Sequence, residues 1–141
     1  MSDSSQIHRR RGAVAVIKSD AKLLVIRRSQ TVAAPGKFCF PGGGIEDGES
    51  ETDALKRELT EELNVTVRPL RQLWTSTTTW DVWLAWWYAE IEEISNLRPN
   101  PDEVESVHWL TPAEMLALPD LLESNREFIH SGVLRTVFGD Q

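Results

Sequence analysis

The stretch Gly42–Val65, GGGIEDGESETDALKRELTEELNV, constrains this chain more than any other. It opens on three glycines and closes as a helix crowded with acids. Ser50 or Thr52 is placed to cap that helix, because short hydroxyls accept the orphan N–H groups of a first turn. The residues from Asp53 to Leu59 are mostly good helix formers. Leu55, Leu59 and Leu63 recur every fourth residue and predict one apolar stripe. Asn64 stands where the helix must stop, and Asn is the best substitute for Gly in the left-handed turn that ends helices.

At about 100° per residue, Glu61 and Glu62 fall roughly 60° and 40° to either side of Glu58. The three carboxylates therefore share one arc beside the leucine stripe, with no cation expected among them. A solvated acidic helix would intersperse Lys at i+4 to relieve the repulsion. A hard divalent cation relieves it instead. Mg²⁺ takes oxygen ligands and usually binds one or two carboxylates plus substrate phosphates. Gly42-Gly43-Gly44 reads as a loop that lets the backbone approach closely. Its N–H groups can form an anion nest and its carbonyls can face a cation. Phosphate and Mg²⁺ on one loop-and-helix unit is the chemistry of diphosphate cleavage.

The spacing then spells a pattern. Gly43, five residues, Glu49, seven residues, Arg57-Glu58-Leu59, one residue, Glu61-Glu62, and finally Val65 resembles the Nudix box. The box has Gly where this chain has Asn64, its one departure. Five specified charged positions and one glycine match by chance in roughly one in 10⁷ windows. The alternative, a plain acidic surface helix, is correspondingly weak. The resemblance implies an α/β/α sandwich around a mixed sheet, and hydrolysis of a nucleoside diphosphate linked to another group. It implies that Gly43, Glu58, Glu61 and Glu62 hold Mg²⁺, with Mn²⁺ as the alternative ion. Arg57 is expected to pair with Glu49 or a metal ligand. Glu61, Glu62 and a loop glutamate such as Glu103 are the candidate bases.

Composition sets outer bounds. At 141 residues, 40% hydrophobic, the chain suits one domain over 1–141, with residues 1–6 as a loose tail. A net charge of −7 argues against a nucleic-acid polymer as partner. One cysteine, Cys39, excludes an internal disulfide and a Cys-rich zinc site. No apolar run is long enough for a membrane span, and no signal core is visible, so the expected placement is cytoplasmic.

Along the chain, Ala13–Ile17 and Leu23–Ile26 read as a hairpin. Arg9-Arg10-Arg11 before it reads as a solvated strand edge or a phosphate contact. Arg27-Arg28 resembles the arginine pair of MutT-type members, which assigns Arg28 to substrate phosphate. Gln30–Lys37 reads as a loop over the site. Phe40 and Gly42, with Gly43, are placed by the resemblance beside the bound nucleotide; a core Phe is the alternative for Phe40. Val65–Thr77 is β-rich, with Pro69 marking an edge or bulge. Trp80–Ile91 is apolar on both faces and reads as a central strand. Glu92–Glu105 reads as an acidic linker; the resemblance to MutT-type members implies that Glu103, with Glu105 competing, joins the metal or acts as base, and a solvated loop is the alternative. Thr111-Pro112-Ala113-Glu114 is a capping box, and Ser124-Asn125-Arg126-Glu127 reads as a second, opening a final helix to about Val137. Asn125, at the exposed start of that helix, resembles the asparagine that reads a purine edge in MutT-type members. His8, His108 and His130 show no ligand spacing.

The leading expectation is a MutT-like nucleoside triphosphate pyrophosphatase acting on a small nucleotide, with a homodimer as candidate assembly. ADP-ribose or nucleotide-sugar cleavage comes second. A Nudix-fold binding module without turnover is the reading from another class, and a metal store is the weakest.

Overall fold

The computed structural model describes residues 10–139. The expected tail at 1–6, His8 and Arg9 lie outside them. Among the described residues, eight strands and four helices follow in order. They are β1 Arg10–Val16, β2 Lys18–Ser19, β3 Lys22–Arg28, β4 Phe38–Cys39, β5 Gly42–Gly44, α1 Glu51–Leu63, β6 Val67–Thr77 and β7 Val82–Ile91, then β8 Val104–Leu110, α2 Pro112–Leu116, α3 Glu123–His130 and α4 Arg135–Phe138. A 3₁₀ turn, Ile94–Asn96, lies between β7 and β8.

The strands form two sheets. One is mixed, in the order β5-β1-β7-β6, with β1 and β7 parallel and the other pairs antiparallel. The second is antiparallel and joins β2, β3, β4 and β8. The expected hairpin between Ala13–Ile17 and Leu23–Ile26 is corrected here. Only its tip pairs, as Lys18 with Leu23 and Ser19 with Lys22. Beyond that tip β1 and β3 part into different sheets. Each carries apolar residues on both faces, and alternating side chains supply two cores rather than one.

On one side, Leu55, Leu59 and Leu63 of α1 are fully buried against Ala13, Ala15 and Ile17 of the first sheet region and Leu24 and Ile26 of the second. Each such leucine is worth about 1.5–3 kcal/mol of burial. On the other side, Val14, Val16, Leu23 and Val25 meet Trp86, Met115 and Phe128. Trp86 stacks on Phe128 with centroids 4.6 Å apart. Helices thus cover both faces, giving the α/β/α layering. β7 is central, between β1 and β6, as its two apolar faces predict. Trp80 and Asp81 fall outside it, in the turn before β7, with Trp80 80% exposed and Asp81 left-handed at φ 59°. Pro69 lies on the edge strand β6 where the register shifts.

Caps decide where helices begin. Ser50 Oγ accepts from Asp53 N–H at 3.1 Å, so Ser50 and not Thr52 caps α1. Thr111 and Glu114 form the reciprocal capping box of α2. The second expected box is absent. Leu122 stands at the N-cap of α3 with no side-chain bond, and the C-terminal helix is broken into α3 and α4. Among the described residues, no helix is long and apolar enough to cross a membrane.

Asn64 ends α1 at φ 58°, ψ 34°, the left-handed geometry for which the sequence calls. Its Nδ2 also donates to Arg98 O at 2.8 Å. Asn64→Gly therefore relieves backbone strain and loses one exposed hydrogen bond, and urea unfolding should show a net change within about 1 kcal/mol. Asn64→Val keeps neither advantage and should lose about 1–2 kcal/mol.

Candidate active site

The three glycines are extended rather than looped. Gly42, Gly43 and Gly44 pair with Val14, Ala13 and Gly12 of β1, so they form a strand edge and not an anion nest. Gly42 has φ 150°, and a Cβ there would lie 2.2 Å from Ala13 O. At Gly43 the obstacle is a side chain: a Cβ would lie 2.3 Å from Glu58 Cδ. The missing side chain is what lets the Glu58 carboxylate rest directly on the strand.

Arg57 locks this strand to α1. Its Nη2 donates to Gly44 O at 2.8 Å. Its Nε and Nη2 grip Glu49 Oε2 and Oε1 at 2.8 and 2.9 Å, a two-pronged pairing suited to the planar guanidinium. Its Nη1 lies 3.3 Å from Glu58 and 3.4 Å from Glu61. A cation does therefore sit among the acids, contrary to the expectation from the helical wheel. Arg57 folds back across α1, which a count of angles along the helix does not register. The hydrogen bond from Arg57, with that from Glu46 N–H, holds the Glu49 carboxyl down to about 2.

The acids gather from two segments. Glu58, Glu61 and Glu103 each offer a carboxylate oxygen within 4.8 Å of the others. Glu62 is turned differently. It is buried, and its Oε1 accepts from Gly42 N–H at 3.0 Å. Burial pushes the Glu62 carboxyl up to about 8, with the charges of Glu58 and Glu103 adding to the rise. Burial also raises Glu58. A cation seated among these groups would reverse that pressure, since opposite charge favours the ionised form. The donor set, hard carboxylate oxygens around a glycine that leaves room for them, fits a hard divalent ion.

Glu103 reaches the cluster because its loop caps the end of α1. Arg98 N–H donates to Leu63 O at 2.9 Å, Asn100 N–H to Glu62 O at 2.8 Å, and Asn100 Nδ2 to Glu61 O at 3.3 Å. These carbonyls have no partner within the helix itself. Asn100 Nδ2 also lies 3.4 Å from Glu103 Oε2. Glu105 is turned away and pairs with Arg27 at 3.3 Å. Sequence reasoning missed Asn100. Its signal was the Pro99-Asn100-Pro101 turn composition.

Two cavities meet along β5. The smaller, about 240 Å³, holds Glu58, Glu62 and Glu103 with Val32, Arg28 and the three glycines. The larger, about 350 Å³, shares Arg28 and the glycines and continues to Phe40, Leu84, Leu122 and Asn125. Arg28, Phe40 and Asn125 are thus brought to one cavity. Asn125, expected at an exposed helix start, is 3% exposed. Its Oδ1 accepts from Phe40 N–H at 2.9 Å and its Nδ2 donates to Ser124 Oγ at 3.2 Å. Phe40 is buried, edge-on to Trp86 and Phe128, and forms wall and core together. Cys39 is buried as expected of a small hydrophobe, and burial pushes its thiol up to about 11.

The NUDIX domain family model matches residues 8–131. The chain belongs to the Nudix hydrolase family. A Nudix hydrolase of Deinococcus radiodurans is 34% identical over 113 residues, covering 70% of this chain and 61% of that protein. A human m7GpppN-mRNA hydrolase is 28% identical over 121 residues, covering 71% of this chain and 37% of its own length. The chain thus spans less than two thirds of either relative. A MutT Nudix hydrolase from Burkholderia pseudomallei has the same fold, with TM-score 0.74 and 23% identity over 86% of this chain and 95% of that one.

In this Nudix protein the strand and helix of the box are held by one guanidinium. Arg57→Lys keeps the charge but cannot grip Glu49 with two prongs while bonding Gly44 O. It should lower divalent-ion affinity about 10–100-fold, read by metal titration, with the far-UV spectrum unchanged.

Proposed function

We propose that this protein is a Mg²⁺-dependent pyrophosphohydrolase that cleaves a nucleoside diphosphate linked to another moiety, with a nucleoside triphosphate as the leading substrate. The observation that carries this reading is the shared border of the two cavities along β5. A diphosphate laid on that edge has carboxylates on one side and room for a nucleoside on the other.

Glu58, Glu61 and Glu103, with Glu62 and the Gly43 main chain beside them, are the residues to hold the cation. When bound, such an ion neutralises phosphate oxygens and lowers the pKa of a water. The chain's own residues do the rest. Arg57 fixes the rotamers of Glu58 and Glu61 through the contacts above. Arg28, which borders both cavities, faces the phosphates. Its Nε is anchored on Ala33 O at 2.7 Å, and its guanidinium lies against Cys39 and acts on Glu62 across the site. Glu61, the exposed member of the cluster, and Glu103 are the residues to accept a proton from attacking water. Gly42 N–H holds Glu62 at the back of the site. The MutT-like preference is supported by Arg28, Phe40 and Asn125 lining one cavity. Asn125 has its carbonyl committed to Phe40 N–H, so it meets a ligand as a donor.

Glu61→Gln should cut phosphate release by roughly 10²–10⁴-fold while the melting temperature stays near wild type. A fully active or unfolded variant would contradict the assignment. A panel of nucleoside triphosphates, ADP-ribose and nucleotide sugars, run with Mg²⁺ and with chelator, ranks the substrates. Hydrolysis without divalent metal would overturn the metal-dependent mechanism, and hydrolysis of none of the panel would favour a binding module.

A further inference from the structure

Among the described residues, three polar side chains are buried: Ser29, Glu62 and Asn125. Glu62 backs the acid cluster and Asn125 lines the larger cavity. Ser29, 6% exposed just past the end of β3, has no task in the site described above. Its partners lie far along the chain, in the segment that delivers Glu103. Ser29 N–H donates to Glu103 O at 3.1 Å. Ser29 Oγ donates to Asp102 O at 3.0 Å, and Thr31 Oγ1 donates to the same carbonyl at 3.0 Å. Thr31 N–H turns back onto Ser29 Oγ at 3.4 Å, so the hydroxyl itself is held.

Strand geometry explains why hydroxyls are used here. β3 and β8 pair regularly from Leu23 with Leu110 to Arg27 with Ser106, but Arg28 then pairs with Val104, leaving Glu105 as an extra residue. A bulge of this kind bends the strand that carries it and disturbs the ladder. Past the bulge β8 has ended, and Ser29 resumes the ladder with one main-chain bond and one side-chain bond. The other end of the segment is held by Asn100, whose carbonyl accepts from Glu103 N–H at 3.0 Å and Val104 N–H at 2.8 Å. The Asp102–Glu103 main chain is thus fastened to the end of α1 through Asn100 and to β3 through Ser29. Two anchors on two elements set where the Glu103 carboxylate stands relative to Glu58 and Glu61.

We propose that Ser29, assisted by Thr31, is a positioning residue for the metal seat, tying the Asp102–Glu103 main chain to β3 so that the Glu103 carboxylate is held against those of Glu58 and Glu61. This rests on the reading of that cluster as a cation site. Groups that orient a ligand without touching the ion commonly change metal affinity about 10–100-fold when they are removed. Arg28 immediately precedes Ser29 and borders the same cavity as Glu103. Adjacent residues therefore serve the phosphate end of the site and the acid opposite it.

The test is a titration of the full chain with Mn²⁺ alone, read by the paramagnetic resonance of the free ion, with neither nucleotide nor turnover. Glu103→Gln should weaken binding about tenfold or more. Ser29→Ala should weaken it about tenfold in the otherwise unchanged chain, but less than about twofold where Glu103→Gln is already present, because the hydroxyl acts through that carboxylate. Thr31→Val removes the second donor to Asp102 O from an exposed position and should give a smaller loss in the same direction. It carries the test should Ser29→Ala fail to fold. An equal loss in both backgrounds would make these hydroxyls general supports of the fold and overturn the proposal, as would unchanged binding. Glu103→Gln binding Mn²⁺ as tightly as wild type would instead sink the cation reading of the cluster, and this proposal with it.

Discussion

The fold places the pieces, but Arg57 joins them. A strand without side chains and a helix bristling with acids would drift apart if they met only through repulsive or absent groups. One guanidinium bonds the strand at Gly44 O, the intervening turn at Glu49 and the helix acids at Glu58 and Glu61. Most of its hydrogen-bonding directions are used, so its rotamer is fixed, and through it the positions of two carboxylates. The pull is mutual, because Arg57 holds Glu49 ionised and Glu49 raises the basicity of Arg57.

Around that junction charge is segregated. The acids line the cavity on the α1 side, the charged residues lining the other are arginines, and Arg28 borders both, with β5 between them. Close approach at the border depends on glycine. A side chain at Gly43 would displace Glu58, and one at Gly42 would strike the backbone of β1. The site is therefore narrow where a diphosphate would lie, and wide on either side of it. The two cores beneath, one under α1 and one under α2–α4, keep both flanks rigid.

Much of this was legible in the residues. The stripe Leu55-Leu59-Leu63, a hydroxyl cap at Ser50 or Thr52, the left-handed Asn64 and a partner for Arg57 in Glu49 or a metal ligand were all read from local spacing, and the structure chose Ser50 for the cap and gave Arg57 both kinds of partner. The central place of β7 followed from its two apolar faces. What failed was decided by distant segments. The split of β1 from β3 reflects partners, β7 and β8, that lie far along the chain. Asn125 reads as polar surface until Phe40 N–H supplies its partner from 85 residues away. Glu103 and Glu105 are indistinguishable by composition. They are separated only by the Asn100 caps and by Arg27.

The loop that closes α1 has a consequence for order of assembly. It fastens to Glu61 O, Glu62 O and Leu63 O, carbonyls that exist as acceptors in that array only once the helix has formed. The fourth acid is delivered by the same fastening. A chain with its helix wound but its β7–β8 connection still free would present Glu58, Glu61 and Glu62 alone, and the docking of the loop on the helix end completes the cluster with Glu103.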